Sequence, residues 1–156
     1  MRNKSQHLFA LLLTVAMVFA ACDRKKVYAH YEHSDSEGWE KTDTLRFSIP
    51  PVKEDGKYQE TLGIRSNNSF PFKSLTVTVE QTVLPKGEKK NYTLNCSITD
   101  DLGSKKGDGI SLFQYEFPIT KLDLQKGDSI EIAIVHDMKR DILPGLRDVG
   151  IMLDKK

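Results

Sequence analysis

The chain lacks most of the features that mark specialised protein classes. It has two cysteines in 156 residues, too few for a small scaffold held by disulfides. It has no apolar run of roughly 18 residues, the length that a membrane-spanning helix needs. Its formal net charge is +1, without the basic excess of nucleic-acid binding proteins, so we expect no nucleic-acid partner. Its 38% of apolar residues predicts a single folded domain rather than a disordered chain.

The first 22 residues have the pattern of an export signal. Two basic residues precede the uncharged run Leu8–Phe19, which is about 18 Å long as a helix and too short for a bilayer core of roughly 30 Å. Phe19-Ala20-Ala21-Cys22 follows and resembles a bacterial lipobox, in which the cysteine is acylated and the chain is cut before it. The alternative is ordinary secretory cleavage with an incidental cysteine. Because Cys22 stands at the one position that a lipobox requires, we predict a signal peptide at 1–21 and a lipid on Cys22.

The lipid on Cys22 predicts where the protein is located, and it makes a membrane the first expected partner. A single acyl chain holds a protein only marginally, whereas two or more make a durable anchor, and a lipoprotein carries more than one. We therefore expect attachment to a membrane of the cell envelope, the outer membrane rather than the inner. Residues 22–41 are expected to form the lipidated cysteine and a polar tether, and 42–156 the folded domain. Cys96 is then left without a disulfide partner, and we expect it to be buried.

Beyond the tether, apolar residues recur at every second position, which is typical of half-buried strands. In the clearest strand, Tyr92, Leu94, Cys96 and Ile98 share one face. Similar alternation occurs at 45–49, 58–64, 75–83, 113–119, 129–135 and 149–153, and no helical stripe of ten residues follows the signal. The spacing predicts an all-β fold, an antiparallel β-sandwich of about seven or eight strands, of which a jelly roll is one form.

The sequence contains no motif that points to catalysis. A Gly-rich phosphate loop, a Cys-x-x-Cys pair and a His-Glu-x-x-His helix are all missing. His30 and His33 form a metal-like spacing, but they lie in the predicted tether, where ligand geometry is not rigid. The acidic loop Asp100–Gly109 lacks the order of ligands of a calcium-binding EF-hand. We therefore predict no catalytic residue, no metal and no cofactor.

One turn is a candidate recognition surface. A polar turn leads into Phe70-Pro71-Phe72, and two rings that flank a proline beside a polar turn are expected to be partly exposed. Exposed rings can stack on sugars or hold a peptide. The residues predicted for this surface are Arg65, Asn67, Asn68, Phe70 and Phe72.

Five segments together resemble one known family. They are Cys22-Asp23 with Val27-Tyr28, Trp39 ahead of the first firm strand, Ile64–Phe72, His136-x-Met138-x-Arg140, and Leu143-x-Gly145-Leu-x-Asp148-Val149-Gly150-Ile151. The last segment is the most specific. The resemblance is to GldH, the gliding-motility-associated lipoproteins of Bacteroidetes-type bacteria. It implies an envelope lipoprotein that supports the gliding machinery and the secretion apparatus linked to it, and it brings no catalytic residues.

The same resemblance draws attention to two tripeptides. Asp43-Thr44-Leu45 and Asp128-Ser129-Ile130 resemble the short Asp-Ser/Thr-apolar motif at which exported proteins of this bacterial group receive O-glycans. Thr44 and Ser129 are therefore candidate glycosylation sites. The alternative is that strands commonly begin with such residues after a turn.

Taken together, the sequence predicts a non-enzymatic, membrane-anchored envelope lipoprotein. Its leading function is support of gliding motility or the associated secretion machinery through contacts with other envelope proteins. The alternative is a glycan- or peptide-binding β-sandwich module.

Overall fold

The computed structural model describes residues 25–156. The predicted signal peptide and Cys22 lie outside these residues. All regular elements in the described part are β-strands, and no helix there is long and apolar enough to cross a membrane. The strands are β1 Lys26–His33, β2 Trp39–Glu40, β3 Leu45–Ile49, β4 Gly56–Asn67, β5 Ser74–Leu84, β6 Glu88–Ser97, β7 Leu112–Leu124, β8 Ser129–His136, β9 Ile142–Leu143 and β10 Leu146–Lys155.

Eight of these strands form two four-stranded antiparallel sheets. The first sheet has the order β1-β10-β4-β7 and the second has the order β3-β8-β5-β6, while β2 and β9 pair separately. The main connections cross from one sheet to the other, except for the β5–β6 hairpin. This is the strand order of a jelly roll, a sandwich of two Greek keys. The predicted all-β sandwich is therefore confirmed.

The core lies between the two sheets and is built from alternate residues of each strand. Leu62 and Ile64 of β4 face Val77 and Val79 of β5 across the interior, and all four are fully buried. Cys96 is also buried, with 1% of its surface exposed, as the alternation of β6 predicts. Burial raises the pKa of its thiol to about 12, because the charged thiolate is poorly solvated there.

The folded domain begins earlier than the sequence indicates. Lys26–His33, placed in the tether by the sequence, forms β1 and pairs with β10 from Lys26 opposite Asp154 to His33 opposite Asp148. β2 also lies within the predicted tether segment 22–41. The boundary at residue 42 is therefore wrong. As an edge strand, β1 has a neighbouring strand on one side only, so most of its residues are exposed and its alternation is weak.

The strands give the sandwich two distinct ends. At the first, here called the N-terminal end, β1 starts beside the last residues of β10 and the first residues of β4. The turn before β8 lies there too, since the amide of Val52 donates to the carbonyl of Asp128. The opposite end, called the far end, holds the turn after β4 and the loop between β6 and β7.

Candidate functional site

The centre of the outer face of the first sheet is an aromatic ring lying on two glycines. Tyr31 of β1 is opposite Gly150 of β10, which is opposite Gly63 of β4, which is opposite Glu116 of β7. A Cβ atom added to Gly150 would lie 2.5 Å from Cδ1 of Tyr31, and one added to Gly63 would lie 2.7 Å from its Cζ. Only glycine at both positions lets the ring lie flat against the sheet.

Arg65 covers the exposed side of this ring. Its guanidinium carbon is 3.9 Å from the centroid of the Tyr31 ring, a distance typical of cation–π stacking. Its Nε donates a hydrogen bond of 3.2 Å to Oε1 of Gln114 on β7, and its Nη1 is 3.9 Å from Oδ2 of Asp148 on β10. Contacts on three neighbouring strands therefore hold the guanidinium in one place.

Asp148 connects this arrangement to the edge of the sheet. Its carboxylate is almost completely buried and also contacts Nδ1 of His33, whose side chain is exposed. The pKa of Tyr31 is raised, mainly because the phenol is partly buried; nearby Arg65 opposes this rise. The Tyr31 hydroxyl has no hydrogen-bond partner within residues 25–156, so packing and the Arg65 stack orient the ring.

These residues form one continuous surface, which we call the Tyr31 face. Its members are Tyr31, His33, Gly63, Arg65, Gln114, Glu116, Asp148 and Gly150. Tyrosine and arginine are among the residue types most often found at binding hot spots, and a side chain held in place before binding loses little entropy on binding. Within residues 25–156, no group of three or more His, Cys, Asp or Glu residues is placed to hold a metal ion. What this face offers chemically is stacking and charge.

The predicted turn adjoins the Tyr31 face at the far end of the sandwich. The amide of Asn67 donates to the carbonyl of Gly145 at 2.8 Å, and Oδ1 of Asn67 accepts from the amide of Ser69 at 2.8 Å. Gly145 has a φ of +77°, and a Cβ there would lie 2.6 Å from the carbonyl carbon of Ser69. The C-terminal segment therefore supports the turn, while the neighbouring Asn68 is exposed.

The expectation of two exposed rings in this turn is wrong for Phe70. Only 2% of its surface is exposed, and it packs in the core, whereas Phe72 is half-buried. The rings meet edge to face with their centroids 5.4 Å apart. Nζ of Lys105 donates to the carbonyl of Phe70 at 3.0 Å and lies 5.5 Å from its ring centroid. The loop between β6 and β7 therefore reaches Phe70, a contact that the sequence around Phe70 does not reveal.

The structure brings only part of the predicted recognition surface into one site. Arg65 is in the Tyr31 face, and Asn67, Asn68 and Phe72 follow it at the far end. Sequence reasoning missed Tyr31, which lay in the supposed tether, and Gly63. The usable signal was a glycine within a strand, since such glycines often mark a close approach of another group to the backbone.

The two candidate glycosylation sites differ in accessibility. Thr44 is exposed just before β3, whereas Ser129 is half-buried at the start of β8. Asp128 is 4% exposed, and its carboxylate accepts from the amide of Gln125 at 2.9 Å and from Nζ of Lys86 at 3.0 Å. The hydrogen bond from Gln125 is the main reason why the pKa of Asp128 is lowered. A modifying enzyme therefore has easier access to Thr44.

Comparisons with known proteins agree on one family. A family model described as GldH lipoprotein matches residues 26–153. The gliding motility lipoprotein GldH of Flavobacterium johnsoniae is 26% identical over 153 residues, covering 94% of this chain and 95% of the relative. A GldH homolog from Christiangramia forsetii is 25% identical over 156 residues, covering 94% of each chain.

Solved structures resemble the chain only in outline. The mosquito-larvicidal Cry4Aa toxin from Bacillus thuringiensis aligns with a TM-score of 0.46 and 10% identity, covering 81% of this chain and 21% of the toxin. A family GH115 4-O-methyl-α-glucuronidase aligns with a TM-score of 0.43 and 17% identity, covering 86% of this chain and 18% of the enzyme. At these scores, neither likeness supports a functional argument.

Proposed function

The chain belongs to the GldH lipoprotein family, and from this premise we propose that it supports gliding motility, or the secretion machinery linked to it, by binding another envelope protein. The Tyr31 face is the proposed contact surface. The proposal assigns no catalytic residue, because stacking and ion pairing account for the arrangement of this face.

The observation that carries the proposal is the fixed stack of Arg65 on Tyr31. Two glycines, which contribute no side chain of their own, are needed for this stack, and Asp148 and Gln114 hold the guanidinium. Arg65, Asp148 and Gly150 also belong to two of the five segments that carry the family resemblance. A binding surface explains why these features coincide.

The anchor fits this use of the Tyr31 face. We propose a lipid on Cys22 and attachment to the outer membrane. Cys22 is four residues before Lys26, so an extended chain separates them by at most about 14 Å. β1 then runs toward the far end, and Tyr31 lies about 17 Å along it. The Tyr31 face is thereby available to a protein beside or above the membrane.

The anchor can be tested separately from the contact surface. Cys22→Ser should give a protein that is either uncleaved or no longer extracted into detergent with the lipoproteins, because the acylated sulfur is gone. The measurement is detergent phase separation of envelope fractions. Equal partitioning of the variant and the parent would exclude lipidation at Cys22 as the anchor.

The contact surface is tested by affinity capture of the tagged, full-length protein from solubilised envelopes. The wild type should retain proteins of the motility or secretion apparatus in stoichiometric amounts, and Arg65→Ala should lose most of them. Arg46→Ala is the matched control, since Arg46 is an exposed arginine on β3 of the other sheet. Equal capture by both variants would reject the Tyr31 face.

A glycan- or peptide-binding module is the second candidate. Arg65, Asn67, Asn68 and Phe72 remain partly or fully exposed for such a role, but the burial of Phe70 removes one of the two rings. Binding on a glycan array that is lost in Phe72→Ala, without capture of any envelope protein, would favour this candidate over protein docking.

A further inference from the structure

The edge of the second sheet at β6 is long and regular. Among residues 25–156, β6 pairs only with β5, in ten consecutive pairs from Ser74 opposite Ser97 to Val83 opposite Glu88, with no shift in register. The other three edges of the sandwich are interrupted. β1 has a register shift next to its start, β7 contains Pro118 and a bulge, and β3 has five residues followed by two prolines. An edge without such interruptions can pair with another strand.

Hydrogen bonds at the ends of these strands show which backbone groups of β6 are free. The carbonyl of Thr76 accepts from the amide of Asp137, so the backbone N–H and C=O groups of Thr76 point toward β8. The carbonyl of Val83 accepts from the amide of Gly87, so the backbone N–H and C=O groups of Val83 point toward β6. Since the N–H and C=O groups of a strand alternate in direction, Leu75, Val77, Val79, Gln81 and Val83 bond to β6.

The partners of these five residues on β6 are Cys96, Leu94, Tyr92, Lys90 and Glu88. Their backbone groups are used in the pairing with β5. The N–H and C=O groups of the intervening residues therefore point to the open edge. These residues are Lys89, Asn91, Thr93 and Asn95, and their side chains are all exposed.

A groove between the open edges of β6 and β7 lies next to these free groups. Tyr92 and Leu94 on β6, and Phe117 and Ile119 on β7, turn toward the core but are only partly buried. A cavity of about 220 Å³ lies near Lys90, and its lining includes Gln81, Lys121 and Leu122. A second cavity of about 470 Å³ lies near Ser97, and its lining includes Tyr115 and Phe117. A strand added to β6 would direct every second side chain into this groove.

The charge of the edge indicates what kind of strand fits. Residues Lys89–Ser97 include two lysines and no carboxylate. Lys89 pairs with Glu80 of β5 at 2.8 Å, so Lys90 supplies the cation at this end of the edge, and Nζ of Lys106 donates to Oγ of Ser97 at 3.0 Å at the other end. An acidic segment complements an edge with cations at both ends. A second copy would bring another set of lysines, and antiparallel pairing of two β6 strands would point the two anchored N-terminal ends in opposite directions.

We propose that Lys89–Ser97 is a strand-addition site for an extended, acidic segment of a partner protein. The main-chain groups of Lys89, Asn91, Thr93 and Asn95 bind the segment, and the groove receives its apolar side chains. This inference rests on the proposed function in that the partner is a protein, but it uses a surface other than the Tyr31 face.

The test uses the purified, full-length lipoprotein in detergent and two synthetic peptides. Both peptides are ten residues of alternating valine and threonine, one with glutamate at both ends and the other with lysine at both ends. Fluorescence anisotropy should show binding of the glutamate peptide and at least tenfold weaker binding of the lysine peptide. Amide hydrogen exchange should slow at Asn91, Thr93 and Asn95 when the glutamate peptide binds, while Tyr92 and Leu94 change little because β5 already protects them.

Two variants of Thr93 separate the backbone from the side chain. Thr93→Pro removes a free edge N–H without removing a hydrogen bond to β5, and it should weaken binding of the glutamate peptide at least tenfold. Thr93→Val keeps the N–H and should bind like the wild type. Thermal unfolding of both variants checks that they are folded.

Several outcomes would overturn the proposal. They are no binding of the glutamate peptide, equal binding by folded Thr93→Pro, or protection of amides elsewhere. Concentration-dependent dimers that Thr93→Pro abolishes would instead identify a second copy as the occupant. Arg65→Ala should leave binding of the glutamate peptide unchanged, because Arg65 is on the other sheet. If the peptide does not bind but affinity capture still depends on Arg65, strand addition is rejected and the proposed function is not.

Discussion

The carboxyl group of Glu60 and the amide of Gln81 form a hydrogen bond across the interior of the sandwich, and so join β4 of the first sheet to β5 of the second. Both side chains are buried, at 0% and 1% exposure. The second carboxyl oxygen of Glu60 has no hydrogen-bond partner among residues 25–156. Burial raises the pKa of Glu60 to about 7, and the bond from Gln81 offsets only part of that rise.

The raised pKa of Glu60 makes the stability of the domain depend on pH. The folded state holds this proton up to about pH 7, whereas the unfolded chain releases it near the ordinary value of 4.5. Stability from the neutral acid is therefore complete below pH 4.5 and is lost as the pH rises to about 7. We expect Glu60→Gln to exceed the wild type in unfolding free energy by roughly 3 kcal/mol at pH 8 and to match it near pH 4.5.

Urea unfolding at a series of pH values measures this difference. Glu37→Gln is the matched control, because it makes the same substitution at an exposed glutamate. A constant difference between Glu60→Gln and the wild type from pH 4.5 to 8 would show that Glu60 does not titrate in this range.

The close packing of Tyr31 on Gly150 gives a second prediction. Gly150→Ala should lower the unfolding free energy by about 1–3 kcal/mol, because the new methyl group collides with the Tyr31 ring. In a Tyr31→Ala background, the same substitution should cost much less, since the obstructing ring is gone. A double-mutant cycle from denaturant unfolding measures this coupling. Additive effects would mean that the ring does not lie on Gly150.

Cys96 provides a test of which side chains of β6 point into the core. Thiol reagents should label it only after denaturation, because the thiol is buried and its pKa is raised to about 12. Cys96→Asp should destabilise the domain by about 2–4 kcal/mol by placing a carboxyl group in the core. Thr93→Cys is the matched comparison, since position 93 is exposed on the other face of the strand. It should be labelled quickly in the folded protein. Rapid labelling of native Cys96 would show that Cys96 lies on the exposed face of β6 and not in the core.

Strands with one buried face were predictable from the sequence, and the clearest example is β6. Its alternation from Tyr92 to Ile98 predicts both the strand and the burial of Cys96. β1 was not predictable in the same way, because an edge strand in which most side chains are exposed resembles a polar linker.

The candidate site was predictable only in part. Arg65 stands out beside a polar turn, but its contact with Tyr31 depends on pairing β1 with β10 and β10 with β4, which joins residues far apart in the chain. The burial of Phe70 likewise depends on the distant loop that carries Lys105. Local sequence predicts the direction of side chains along one strand, whereas the site is made by neighbours across several strands.

Thr44 carries the last prediction, which concerns modification. Its hydroxyl is exposed, whereas Ser129 is half-buried beside an aspartate whose carboxylate is bound to Gln125 and Lys86. If the resemblance to the Asp-Ser/Thr-apolar motif reflects O-glycosylation, the glycan should be on Thr44. Intact-mass analysis of the native protein should show added hexose-rich mass that disappears in Thr44→Ala and persists in the control Ser129→Ala. A mass explained by the polypeptide and its lipid alone would reject glycosylation, and loss of the added mass only in Ser129→Ala would show that accessibility does not choose the site.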